Sequence, residues 1–290
     1  MTTKLKKYCF VLLLCAARRR LFAYMLKNFA IPNDWEKIQI KSNYHTHNYL
    51  CGHAGGTVSD YAAEAVRCGM RILGISDHCT VFTNSYDSYM TAFDLEKEYL
   101  PQFEKAKSLY GDRLTIKCGV EIEHVDDAEA YYRLLKSKVD YLVLGQHIFL
   151  RGKSGYVYNS FIDGTDDKSV AAYFDNVCAG IDSGNFALVA HPDLIFYSRP
   201  KITHGMIASM ERAVKLAAEK GVALELNANG IRYHGFRYPT EELVALCKKH
   251  NARVVVSSDA HDPKSLCDKY MRALYAYAKN EGLNVVDEIL

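Results

Sequence analysis

From Lys37 onward the hydrophobic and polar positions repeat one pattern seven times: a short apolar or β-branched run, then a helix-length amphipathic stretch. The predicted unit is βα. The strand runs are Ile38–Tyr44, Arg71–Ser76, Leu114–Ile122, Tyr141–Gln146, Phe186–Ala190, Val222–Asn227 and Arg253–Ser258. Several are continuously apolar, as parallel strands covered on both faces are. Between them, Thr57 and Asp60 form a capping box ahead of Tyr61–Cys68, and Gly69 marks the stop. Leu243, Leu246 and Cys247 recur at helical spacing and predict a stripe facing the core. Phe149–Asp166, rich in Gly, Ser and Asp, predicts a long loop, either a lid over a site or a solvated connection.

No linker or composition shift divides the chain after residue 37. Consecutive βα units in one domain, residues 37–290, predict an α/β barrel of the TIM type, with an open doubly wound sheet as the alternative. Composition narrows the function classes. At 290 residues, 49% hydrophobic and 24% charged with a net charge of +2, the chain is neither disordered, collagenous nor a coiled coil, and no nucleic-acid partner is expected. Nine cysteines, an odd number without CxxC spacing, argue against a disulfide framework and a zinc ribbon, so a cytoplasmic location is expected.

Residues 1–36 are set apart as an N-terminal extension. Lys4, Lys6 and Lys7 precede the apolar run Tyr8–Ala17, and Arg18, Arg19 and Arg20 follow at once. The run falls short of the roughly 20 residues a spanning helix needs, and the basic triplet opposes translocation, so no stable membrane insertion is expected. It reads as a weak signal-like segment, a peripheral helix, or a non-native start upstream of Met25.

Candidate chemistry collects where a parallel barrel gathers its active site, at the C-terminal strand ends. These ends carry His45-Thr46-His47 with His53 beyond, Ser76-Asp77-His78, Glu121 and Glu123, Gln146-His147, His191-Pro192-Asp193, Asn227 and Asn229, and Asp259-Ala260-His261. Residues two apart in an extended segment point the same way, so His45 and His47 can grip one ion. Any single histidine of this set has an ordinary structural reading. Together, seven histidines and two carboxylates on one rim have none, because burying so many titratable groups without a metal is costly.

The chain resembles the polymerase and histidinol phosphatase (PHP) metal-dependent phosphoesterases, in their histidinol-phosphatase branch. The resemblance runs from about Tyr44 to Pro263, through YHTHNYLCGHA, LGISDHC, CGVEIE, DYLVLGQHIF, AHPDL, NANGIR and SSDAHDP. It implies a distorted seven-stranded (β/α)7 barrel holding three divalent ions, with Zn, Mn or Fe all suited to the donors. By that analogy His45, His47, Glu121 and Asp259 hold the first ion. Glu121, bridging, joins His147 and His191 around the second, and His53, His78 and His261 hold the third.

Three divalent ions offset by two ligating carboxylates would leave a cationic site suited to a small phosphorylated substrate. Metals lower the pKa of bound water, and paired ions clamp the oxygens of a displacement at phosphorus. Arg199, Arg232 and Arg237 are candidate phosphate contacts; Arg232, which closes NANGIR, is favoured, also as a catalytic residue. His234 is a further candidate for substrate contact. Asp193 either protonates the leaving alkoxide or orients His191, and the second role is preferred. Asp77 is expected to bond a ligand imidazole, and Cys51 and Cys79 to be small buried side chains. His124, His204 and His250 read as structural or exposed.

The resemblance implies hydrolysis of L-histidinol phosphate, a step of histidine synthesis. Three alternatives are a PHP phosphoesterase for another small phosphate or a nucleotide, an amidohydrolase, and a non-catalytic metal-binding module. The amidohydrolase fits less well, since Gln146 and His147 stand where its bridging Lys would be. The sequence carries no signal for an oligomeric state.

Overall fold

The structure, a computed structural model, describes residues 31–79, 95–150, 157–159, 161, 166–197, 201–233 and 237–290. In chain order its strands are β1 (Ser42–Asn43), β2 (Ile72–His78), β3 (Thr115–Ile122), β4 (Tyr141–Leu144), β5 (Ile148–Leu150), β6 (Val157–Asn159), β7 (Leu188–Val189), β8 (Ala223–Asn227), β9 (Arg253–Ser257) and β10 (Asn284–Val285). All but β5 and β6 form one parallel sheet of eight strands, ordered β1-β2-β3-β4-β7-β8-β9-β10. The order follows the chain without the reversal that defines a doubly wound sheet.

The sheet curls. At its start β9 pairs with β10. Beyond its end the chain turns to β1 instead, where Thr46 and Ala260 form a parallel bridge and the His47 amide donates to the Ala260 carbonyl at 3.0 Å. Asn43 strengthens the seam, its Oδ1 accepting from the Ser258 amide at 2.7 Å.

Each of the seven predicted runs overlaps a strand, with β2 running two residues past its predicted end to His78, and β10 is the eighth. Its two residues are too few to show a pattern. The hairpin β5–β6, antiparallel from Ile148↔Asn159 to Leu150↔Val157, replaces part of the predicted loop. Residues 151–156, 160 and 162–165 of that loop lie outside the described residues.

Helices α1 (Val58–Arg67), α2 (Leu100–Tyr110), α3 (Glu129–Lys136), α4 (Asp167–Asp182), α5 (His204–Lys220), α6 (Ala228–Arg232), α7 (Glu241–Lys249) and α8 (Lys269–Asn280) connect the strands. The capping box of α1 forms as predicted, and Gly69 follows with φ 72°. Leu243, Leu246 and Cys247 of α7 are buried. None of the helices described is long and apolar enough to cross a membrane.

Strand alternation divides the core. On β4, Tyr141 and Val143 join an inner cluster with Tyr44, Leu188, Ala223 and Val255, whereas Leu142 and Leu144 pack in the larger cluster with the helices. Tyr141 extends across the interior to donate to the Tyr44 carbonyl at 2.7 Å, and only a residue without Cβ at Gly119 leaves its ring room. This apolar layer sits below the strand ends that carry the histidines.

Candidate metal centre

Four atoms from three strand ends converge. His45 Nε2 lies 3.0 Å from His47 Nε2, 3.2 Å from Glu121 Oε2 and 3.6 Å from Asp259 Oδ1. His47 Nε2 lies 3.5 Å from the same Glu121 oxygen and 3.1 Å from the same Asp259 oxygen. A tetrahedral site with bonds of 2.0–2.2 Å has edges of about 3.4 Å, which these spacings bracket. Both Glu121 oxygens and Asp259 Oδ1 are buried without a hydrogen-bond donor, as acceptors waiting for a cation would be.

The other Glu121 oxygen faces a second group. Its Oε1 lies 3.1 Å from His191 Nε2 and 3.6 Å from His147 Nε2. One carboxylate therefore addresses two sets of histidines with separate oxygens. His53, His78 and His261 gather on the far side of His47, with the His53 and His261 ring centres 4.9 Å apart and those of His53 and His78 5.4 Å apart. All nine residues of the predicted set thus meet in one neighbourhood, and several groups of three among them have ligand atoms within 4.8 Å of one another, a spacing that suits divalent metal binding.

The imidazoles are held from behind. His53 Nδ1 bonds the Cys51 carbonyl at 2.9 Å and His261 Nδ1 bonds the Asp259 carbonyl at 3.1 Å, which leaves Nε2 of each to act as a ligand. Asp77 bonds His47 Nδ1 at 3.3 Å, as expected. Glu225, which sequence reasoning passed over, bonds His45 Nδ1 at 2.8 Å. Its signal was a lone carboxylate in the apolar run Val222–Asn227.

Burial works against charge throughout, and pairing overrides it. Glu225, then Glu121 and Asp259, hold His45 well above its usual pKa, while Asp259 and Asp77 lift His47 to about 9. Against the same burial, His45 and the other nearby histidines keep Glu121 and Asp259 well below the carboxylate range. His78 and His261 go the other way, lowered by burial and by His47, His261 to about 4.

A cavity of about 540 Å³ opens over the cluster, walled by Phe161, Tyr233, Tyr238, Asn229 and Asp262. Phe161 stacks on His147 with ring centres 6.3 Å apart. Among the described residues no Lys or Arg lines this cavity.

Arg232 departs from its expected role. Its guanidinium is buried and bonds both Asp268 oxygens and the carbonyls of Ser258 and Ser265, so it staples the chain behind the site instead of facing a phosphate. Asp193 departs as well. Its Oδ2 accepts the Thr240 amide at the start of α7, His191 Nδ1 has no hydrogen-bond partner, and Asp193 does not line the cavity. Burial lifts its carboxyl to about 6. Arg237 is exposed, and Arg199 and His234 lie outside the described residues. Cys51 and Cys79 are buried thiols, as expected. His204 is exposed, His250 bonds Glu211 at 2.7 Å, and His124 is buried against Tyr132.

A curled parallel sheet with such a cluster at its C-terminal strand ends defines a metal-binding α/β protein. The PHP domain pattern matches residues 43–229, and the chain belongs to that family. A protein of Deinococcus radiodurans named "Probable histidinol-phosphatase" is 25% identical over 229 residues, 76% of this chain and 85% of its own length. The histidinol-phosphatase of Bacillus subtilis is 25% identical over 255 residues, 76% of this chain and 93% of that protein. The fold is shared with the histidinol phosphate phosphatase of Lactococcus lactis, solved in complex with Zn, L-histidinol and phosphate: the TM-score is 0.67 at 15% identity, over 85% of this chain and 95% of that one.

Proposed function

We propose that the protein is a metal-dependent phosphomonoesterase that hydrolyses L-histidinol phosphate to L-histidinol and phosphate. The observation that carries this reading is Glu121, whose two oxygens face two separate histidine groups beneath one cavity. The names of the curated relatives, and the zinc, histidinol and phosphate of the Lactococcus lactis complex, support the choice of substrate.

The proposed centre takes three divalent ions: one on His45, His47, Glu121 and Asp259, one on Glu121, His147 and His191, and one on His53, His78 and His261. Zinc, manganese and iron all suit imidazole and carboxylate donors. Such ions supply positive charge to the phosphoryl oxygens and a water of lowered pKa as nucleophile. The chain's own residues orient the ester. The histidine cluster takes the phosphoryl end, while Phe161, Tyr233 and Tyr238 wall the space for an imidazole ring, and the Asp262 carboxylate faces the same cavity with charge complementary to an amino group. Arg199 and Arg237 stay with this proposal as phosphate contacts and His234 as a substrate contact, by their place in the sequence after β7 and α6. We further assign residues 37–290 to one PHP domain, with the curled sheet closing as a distorted seven-stranded barrel, in a protein of the reducing cytoplasm.

The test is phosphate release from histidinol phosphate, glycerol phosphate and nucleoside monophosphates, before and after chelation, with elemental analysis of the same preparation. Fastest turnover of histidinol phosphate, lost on chelation and regained with zinc or manganese, is expected. Preference for a nucleotide would overturn the substrate. Metal-replete protein that releases phosphate from no ester would overturn the reaction.

A further inference from the structure

Glu225 belongs to neither the predicted ligand set nor the cavity wall, yet it is fully buried in the middle of β8. All its contacts lead to proposed ligands. Oε1 lies 2.8 Å from His45 Nδ1. Oε2 accepts the His191 amide at 2.7 Å and the Asn227 side-chain amide at 2.8 Å. Asn227 in turn donates to Asp259 Oδ2 at 3.1 Å. One carboxylate therefore ties together side chains or backbone from the ends of β1, β7 and β9.

The backbone adds a second, independent observation. His191 has φ 27°, a left-handed conformation that non-glycine residues rarely adopt and that persists only where its surroundings enforce it. The hydrogen bond from its amide to Glu225 is such a constraint.

We propose that Glu225 is the positioning residue of the metal centre: it fixes which His45 nitrogen carries a proton and holds the His191 backbone in its turn, so both imidazoles present Nε2 to the ions. This inference rests on the metal-centre reading above and not on the identity of the ester. The logic is one of hydrogen-bond polarity. A backbone N–H can only donate, so Oε2 must accept. An acceptor at Oε1 obliges His45 to carry its proton on Nδ1, which leaves the Nε2 lone pair aimed at Glu121, His47 and Asp259.

Glu225→Gln breaks this logic at one atom. Its amide oxygen must stay on the His191 N–H, so its NH2 faces His45 Nδ1. His45 then moves its proton to Nε2, the nitrogen the ion needs. We expect apparent affinity for zinc or manganese to fall at least tenfold, on the order of other losses of groups that orient ligands. Far-UV circular dichroism and the unfolding midpoint of the chelated protein should be retained. Activity should follow metal occupancy and recover as metal is raised, with KM for the ester unchanged. A folded Glu225→Gln protein with wild-type metal affinity would overturn the proposal.

Should Glu225→Gln not fold, Glu225→Asp keeps the charge but withdraws the carboxylate by about 1.5 Å. The same loss of metal affinity is expected, and wild-type affinity in that variant would equally overturn it. Because the readout is metal binding, wild-type protein that binds metal but cleaves no ester would remove the proposed reaction and leave Glu225 to be judged on its affinity ratio.

Discussion

Arg232 and Asp268 face one another in a two-pronged ion pair, Nε to Oδ2 at 2.6 Å and Nη2 to Oδ1 at 3.1 Å. The pair joins the end of α6 to the cap of α8, where Asp268 Oδ1 also accepts the amides of Tyr270 and Met271. The same guanidinium holds the Ser258 carbonyl, one residue before Asp259.

Arg232→Met should therefore act on stability. Breaking a buried pair and orphaning two carbonyls costs about 3 kcal/mol. Urea unfolding should show that loss, with KM for the ester little changed in the folded fraction. A rise in KM at unchanged stability would return Arg232 to the role of phosphate clamp.

Gly145 follows β4, and a Cβ placed there would collide with the Glu121 carboxylate. Gly145→Ala should turn that carboxylate away from both histidine groups. Since Glu121 serves both, activity should fall about a hundredfold, with metal content reduced. Far-UV circular dichroism should still report the wild-type fold.

At the start of α1, Asp60 Oδ2 accepts the Thr57 amide at 2.7 Å and is bonded by the Thr57 hydroxyl, and both contacts hold the Asp60 carboxyl below its usual pKa. A lowered carboxyl contributes stability above the ordinary carboxylate range and loses it as pH falls through the folded value. Asp60→Asn should therefore be less stable than wild type at pH 7, with the gap closing below about pH 4. Thr57→Ala removes the cap itself and should cost about 1 kcal/mol in urea unfolding.

Phe161 and His147 lie with their rings 12° from parallel at one wall of the cavity. If an imidazole-bearing ester packs on this wall, Phe161→Ala should raise KM for histidinol phosphate about three- to tenfold, the worth of one aromatic contact. Glycerol phosphate, which has no ring, should be unaffected. Equal effects on the two esters would remove Phe161 from substrate recognition.

Much of the architecture could be read directly from the chain. Tyr141–Leu144 and the three valines Val254, Val255 and Val256 of β9 are apolar because both faces of those strands are covered, and that pattern is legible without knowing which elements cover them. Thr57 and Asp60 cap α1 through neighbours three residues apart. The convergence of the histidine motifs was equally legible, since a curled parallel sheet in chain order places successive strand ends on one rim, so motifs such as His45-Thr46-His47 and Asp259-Ala260-His261 announce a shared site.

Other features depended on partners that the local pattern cannot name. Glu225 within β8, Arg232 at the end of α6 and Asp193 after β7 are buried polar residues whose neighbours in sequence do not separate a ligand holder from a phosphate clamp or a helix cap. Their roles follow from which group lies opposite after folding: His45 and the His191 amide for Glu225, Asp268 for Arg232, the Thr240 amide for Asp193. Hydrophobic periodicity belongs to the chain because it reflects the geometry of a single element. The partner of a buried polar group belongs to the tertiary structure, because desolvation compels that group to bond whatever donor or acceptor the packing of other elements brings within reach.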